Sequence, residues 1–141
     1  GTAGFRRIVT DWHRRSQPVV RLRGDDFIEL DSLGLCPCGY AGRTILPIAG
    51  RVGDLWRFAT GTITHRQVIE AVESELGGAL RWQALGEPRG AELRTAPDCS
   101  PDLVQRAAAA LAHLIPVPVQ TASNLPEWPG PKRRKGVWQD D

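Results

Sequence analysis

Several things this 141-residue chain lacks narrow its reading. Its longest apolar stretches, such as AAAALAHLI (107–115), fall well short of the roughly 18 residues that cross a bilayer. No basic stretch followed by an apolar segment and a small-residue cleavage site opens it, so the cytoplasm is the expected compartment. Cysteine is scarce and odd in number, three in all, which argues against a secreted disulfide framework. A zinc site wants four ligands, usually as two separated pairs, whereas Cys36 and Cys38 have only Pro37 between them. Their remaining candidate partners are Cys99, His13, His65 and His113, and no metal site is expected. The familiar redox pair has two residues between its cysteines and opens a helix. Cys-Pro-Cys-Gly after Gly34 reads instead as a turn, with small, partly buried thiols flanking a rigid loop.

Two further absences bear on ligands. There is no glycine-rich loop of the P-loop or dinucleotide type. Nor is there a concentrated basic face, the footprint that nucleic acid would require. Residues 1–50 carry seven Arg against five acids, residues 51–141 balance eleven Lys and Arg with eleven acids, and the one dense cluster is KRRK (132–135).

What is present divides near Gly50. Before it, FRRIVTDW (5–12), PVVRLR (18–23) and DFIELD (26–31) read as strands, followed by the apolar TILPIAGR (44–51). A stretch so lacking in helix is a poor candidate for a free-standing core. After it, DLWRFA (54–59) reads as a strand and GTIT as a turn, with Thr64 placed to cap a helix that Gly77-Gly78 end. Val68, Ile69, Val72 and Leu76 share one face of that helix. ALRWQAL (79–85) and AELRTA (91–96) form a hairpin around GEPRG. Ser100 and Pro101 open a second helix with a broad stripe of Leu103, Val104, Ala107, Ala108, Leu111 and Leu114, and VPVQTA (117–122) is a last strand. The order is strand, helix, strand, strand, helix, strand. This predicts an α+β, ferredoxin-like domain with two helices on one face of an antiparallel sheet and the other face open to a partner. Trp56 and Trp82 are candidates for its core. The tail from 123 to 141 is too broken by proline and glycine for a helix.

Three motifs together resemble the C-terminal portion of adenylate-forming ligases, in particular the phenylacetate-CoA ligase-like branch. PVVRLRGDD (18–26) resembles that family's Pro-x-x-Arg-Tyr-Arg-Thr-Gly-Asp strand and turn, CPCG (36–39) matches its Cys-Pro-Cys-Gly, and IAGRVGD (48–54) resembles its Ile-x-Gly-Arg-x-x-Asp hinge. The resemblance implies that residues 1–50 end a large domain, residues 51–122 form a small mobile domain, and residues 123–141 are a basic tail carrying a lysine. It implies two-step chemistry with ATP and Mg2+: a carboxylic acid, an aromatic one among the candidates, becomes an acyl-adenylate, and a thiol of coenzyme A or a carrier protein then takes the acyl group. By resemblance, Asp26 is the ribose-binding aspartate, Arg51 the nucleotide-contacting arginine and Asp54 the hinge pivot. Lys132, with Lys135 second, is the lysine that grips carboxylate and phosphate.

The sequence departs from the pattern at Leu22 in place of tyrosine, at Gly24-Asp25 in place of Thr-Gly, and at Gly53, where the family often has an acid. Adjacent Asp25 and Asp26 repel a polyanion unless Asp25 points away. The phosphate loop, acyl pocket and most of the adenine site belong to a large N-terminal region, so the chain is expected to be inactive without that region, whether as a piece of a longer protein or as a docking subunit. GTAGFRRIVTDW resembles an interior strand of the ligase body, and WQDD fits a natural terminus. The same residues also have plainer readings: Asp26 as a solvated turn residue, Arg51 as a surface ion-pair partner, Asp54 as the start of a strand, and the lysines as a solubilising tail. The competing function is a non-catalytic interaction module using the open sheet face and KRRK.

Overall fold

Local signals account for the two α-helices among the described residues. The computed structural model describes residues 4–13, 15–31, 36–42, 44–78, 81–125 and 134–139. Helix α1 (His65–Leu76) starts at Thr64, whose side chain accepts from the Gln67 N–H while the Gln67 side chain accepts from the Thr64 N–H, a reciprocal capping box. It ends at Gly77, whose φ of 71° lies in the left-handed region that favours glycine. Val68, Val72 and Leu76 are buried along one face, with Ile69 packed beside them. Helix α2 (Pro101–Leu114) begins with Pro101 in its first turn, as its sequence predicts, but Ser100 makes no side-chain capping bond. Pro101 already removes one of the unpaired N–H groups, and Asp102 places a negative charge in the first turn.

The chain forms two compact units, Gly1–Gly53 and Asp54–Asp141. In the first, strands β1 (Gly4–Asp11), β2 (Val19–Glu29) and β3 (Gly50–Arg51) form an antiparallel sheet in that order. The two strands expected over 18–23 and 26–31 are one. Strand β2 continues through Gly24-Asp25-Asp26 by way of a register shift opposite Arg7, where Arg6 and Arg7 ion-pair with the two aspartates and Arg6 Nε donates to the Gly24 carbonyl (2.8 Å). A second register shift falls near Arg21, which has a φ of 50° beside Thr10. The stretch 44–51 is not a continuous strand either. Ile45 makes an isolated bridge to Leu30, and pairing resumes only at Gly50. Pro47, lacking an N–H, cannot extend a ladder between them.

The second unit holds the core. Strands β4 (Trp56–Phe58) and β5 (Gly61–Ile63) make a separate hairpin, so GTI is strand rather than turn. Strands β6 (Trp82–Glu87), β7 (Gly90–Thr95), β8 (Val119–Ala122) and β9 (Gly136–Trp138) form a four-stranded sheet in the order β8-β7-β6-β9. This sheet is mixed: β6 and β7 are an antiparallel hairpin, while β8 runs parallel to β7 and β9 parallel to β6. The β7–α2–β8 connection explains the first parallel pair, since parallel neighbours need a crossover and a helix supplies one. Residues 54–59, expected as a strand of this sheet, lie outside it, and the place beside β6 is taken by β9, from the part of the chain read as an irregular tail. Trp82, Ala84, Ala91 and Leu93 meet Val68, Val72, Ala107 and Leu111 in one buried cluster, with both helices against the same side of the sheet.

Trp56 and Trp82 are fully buried. A Cβ on Gly86 would lie 2.6 Å from the Trp56 indole, so that glycine marks where the ring rests on β6. The Thr95 hydroxyl is buried with no hydrogen-bond partner. Two substitutions therefore shift stability in opposite directions. Gly86→Ala is expected to cost about 1–3 kcal/mol by overpacking against Trp56. Thr95→Val, of similar shape, is expected to add about 1 kcal/mol by removing an unsatisfied hydroxyl. Urea unfolding followed by far-ultraviolet circular dichroism of the two helices checks both.

Candidate functional site

Pairing of β2 with β3 sets Asp26 directly opposite Arg51. Two candidate residues separated by a long loop thus become cross-strand neighbours, a carboxylate beside a guanidinium. The loop closes at its base through bonds from Asp31 N–H to the Thr44 carbonyl and from Leu46 N–H to the Glu29 carbonyl, each 2.9 Å. Asp26 Oδ2 accepts from Arg7 at 2.5 Å, and the Asp26 side chain is 25% exposed against 72% for Asp25. Both lie where the β1–β2 register shifts, and their different exposure sets them in different surroundings. Each also has its own arginine on β1, Arg6 for Asp25 and Arg7 for Asp26. The adjacent like charges are thereby separated and locally balanced.

The unusual Gly24 has a packing reason. A Cβ there would lie 2.6 Å from Arg7 Nε and 2.8 Å from Arg7 Cγ, so glycine leaves room for the arginine that holds Asp26. Nothing comparable requires Gly53, where an added Cβ would meet no atom within 4 Å. Leu22 is exposed and helps line a depression of about 250 Å³ with Arg7, Val9, Asp11, Val19 and Gly24.

In the second unit, Asp54 Oδ1 lies 3.6 Å from an Arg134 guanidinium nitrogen. Lys135, at the entry to β9, ion-pairs with Glu73 on α1, and its Nζ sits 5.3 Å from the centre of the Trp82 ring. Strand pairing fixes this end of the chain: Ala84 N–H donates to the Lys135 carbonyl at 2.7 Å, and Gln83 Nε2 donates to the Arg134 carbonyl at 3.0 Å. Lys132 lies outside the described residues. Arg134 and Lys135, the described half of KRRK, each face a carboxylate and form no free basic patch. Among the described residues, no three His, Cys, Asp or Glu side chains gather in a metal-binding group. None of the helices searched among them is long and apolar enough to cross a membrane.

Sequence reasoning assigned His65 no task, yet its Nδ1 lies 3.1 Å from the Gly136 carbonyl, pinning the start of α1 to β9. The outer face of the sheet is polar where it had been expected to receive a partner. Glu92 and Arg94 ion-pair across it, and a depression of about 300 Å³ there is bordered by Glu87, Arg89 and Gln120.

No family model matches the sequence, and no curated protein matches it. Solved structures do. The chain is similar to 2-hydroxyisobutyryl-CoA ligase in the postadenylation state in complex with 2-HIB-AMP, with a TM-score of 0.71 and 19% identity over 99% of this chain and 32% of that one. The same ligase in complex with R3-HIB-AMP gives a TM-score of 0.67 at 18% identity, again over 99% and 32%. An open conformation of it, with 2-HIB-AMP and CoA, gives 0.62 at 17% identity over 99% and 33%. The chain therefore has the fold of the C-terminal portion of such ligases, including the small ferredoxin-like domain, and spans about a third of their length.

The Lys135–Glu73 pair can be weighed directly. Both side chains are about 30% exposed, so solvent screens them. A double-mutant cycle with Lys135→Met and Glu73→Gln, read by urea unfolding, is expected to give a coupling of about 0.5–1 kcal/mol that shrinks as salt is raised.

Proposed function

We propose that this chain is the C-terminal part of an ATP-dependent acyl-adenylating ligase, contributing nucleotide contacts and a mobile lid, and that it works only together with a large region supplying the phosphate loop and acyl pocket. The observation that carries the reading is the register of Asp26 against Arg51 within a fold shared with the C-terminal third of acyl-CoA ligases. A carboxylate can accept from two neighbouring ribose hydroxyls, and an adjacent guanidinium can donate to phosphate oxygens. Asp26 and Arg51 together suit the two ends of an adenosine monophosphate unit. Asp54 closes the 3-10 turn Val52–Asp54 and is the pivot in this reading.

The lysine that meets the carboxylate and the transferring phosphoryl group is Lys132 or Lys135. Its charge stabilises the negative charge that builds on those oxygens. Lys135 reaches such a substrate only by leaving Glu73 and the Trp82 face. Mg2+ would be held chiefly by the nucleotide phosphate oxygens, with one or two carboxylates, and would offset their negative charge. The Cys-Pro-Cys-Gly turn and the strand before it favour the phenylacetate-CoA ligase-like branch, with the thiol of coenzyme A or of a carrier protein as acceptor.

Surface chemistry supports the need for a second region. Ten large hydrophobic side chains are exposed among the described residues, from Phe5 to Ile48, and all lie in the first unit. Val9 and Leu22 are cross-strand partners within that apolar surface. In this reading the large region covers it. The interaction-module alternative finds less support, because the outer sheet face it invoked is polar.

The test is acid-dependent ATP–pyrophosphate exchange by the full ligase containing this chain. Ala at the operative lysine, Lys132 or Lys135, is expected to lower exchange by about 10²–10³-fold, the usual loss on removing one group that stabilises developing charge, and Asp26→Ala, which removes the ribose contact, is expected to lower it by raising the KM for ATP. Arg66→Ala, on the exposed side of α1, is expected to leave it unchanged. Exchange indifferent to Asp26→Ala, with folding intact by circular dichroism, overturns the reading.

A further inference from the structure

The nucleotide reading leaves the Cys-Pro-Cys turn without a chemical task. We propose that Cys36 and Cys38 form a thiol–disulfide exchange site, closing reversibly to an intramolecular disulfide with a small-molecule disulfide as oxidant. The two Sγ atoms lie 2.7 Å apart, so bonding requires an approach of only ~0.7 Å to reach a covalent length of about 2.05 Å. The backbone holds them there. Gly39 N–H donates to the Cys36 carbonyl at 2.9 Å, closing a four-residue turn in which Pro37 fixes its own φ and Gly39 takes a φ of 83°. Nothing lies within 4 Å of a Cβ built on Gly39, so this glycine answers a conformational need rather than a steric one.

The two thiols are not equivalent. Cys38 is exposed and Cys36 half-buried, which makes Cys38 the attacking sulfur and Cys36 the resolving one. The neighbouring Cys36 thiol and then the Tyr40 backbone hold the Cys38 thiol below its ordinary range, against a small opposing effect of burial. Cys99 belongs to the other compact unit.

The exchange balances in two steps. The Cys38 thiolate attacks one sulfur of the oxidant RSSR, forming a mixed disulfide and expelling one RS⁻, which takes up the proton Cys38 has lost. The Cys36 thiolate then attacks the Cys38 sulfur and expels the second RS⁻, which takes up the proton of Cys36. The protein dithiol is oxidised by two electrons and RSSR is reduced to two RSH. Because the loop base is pinned to the end of β2 by the Asp31–Thr44 and Glu29–Leu46 bonds, closure is confined to the turn.

The full chain, equilibrated with oxidised glutathione and then alkylated with iodoacetamide, tests this by intact mass and peptide mapping. The reduced chain has three cysteines to alkylate, and the oxidised chain is expected to retain one, Cys99, with a Cys36–Cys38 disulfide that dithiothreitol reverses. In Cys36→Ser the mixed disulfide on Cys38 is expected to persist, because its resolving thiol is gone. Three alkylated cysteines after oxidation, a persistent glutathione adduct on the unsubstituted chain, or a disulfide involving Cys99 would each overturn the proposal. None of these readouts depends on nucleotide, so this site and the ligase reading stand or fall separately.

Discussion

A three-residue strand running parallel to its neighbour has no tight turn to hold it, so β9 stays in place only through the bonds it makes. Ala84 N–H reaches the Lys135 carbonyl, Gln139 N–H reaches the Gly86 carbonyl at 2.9 Å, and Gln83 secures Arg134. Side chains complete the attachment. Trp138 packs edge-on against Phe58 with ring centres 5.2 Å apart and tilted against Trp56 at 6.3 Å, which ties the β4–β5 hairpin to the sheet. His65 ties α1 to the same strand. Loss of β9 would free the hairpin, one helix start and both described basic residues together.

That dependence explains what could be read in advance and what could not. The helices were legible because their information is local: the Thr64–Gln67 capping box, the spacing of Val68, Val72 and Leu76, and the Gly77 stop all lie within a few turns. The GEPRG hairpin was legible for the same reason. β9 was not, since a Gly-Val-Trp segment carries no periodicity of its own and pairs with a strand some fifty residues earlier. The continuation of β2 through Gly24-Asp25 was hidden too, because it passes through a register shift flanked by ion pairs to Arg6 and Arg7 on β1. Motif resemblance picked out Asp26 and Arg51 individually; their cross-strand pairing depends on register, which spacing along the chain does not express.

The charges organise more than they stabilise. Arg7–Asp26, Arg6–Asp25, Lys135–Glu73 and Arg134–Asp54 all involve side chains with substantial exposure, where an ion pair contributes about 0–1 kcal/mol. Their effect is geometric: Asp26, Asp54 and Lys135 are each held by a partner they can exchange for another ligand at small cost. A site that must bind and release a polyanion is better served by such contacts than by deeply buried pairs, whose desolvation would make any rearrangement expensive.

The two units differ in how they meet the basic requirement of burying apolar surface. Of nineteen buried hydrophobic residues among those described, Ile28 and Ala49 belong to the first unit, while the described exposed large hydrophobics all belong to it. A twisted sheet needs at least one face covered to repay the conformational entropy of ordering its strands. The second unit meets that need with α1, α2 and the tryptophan cluster over its own sheet. The first does not, and its strands nonetheless carry Asp26 and Arg51. The candidate nucleotide contacts therefore sit on the element with the least core of its own, and their precise placement depends on whatever covers Phe5, Ile8, Val9 and Leu22.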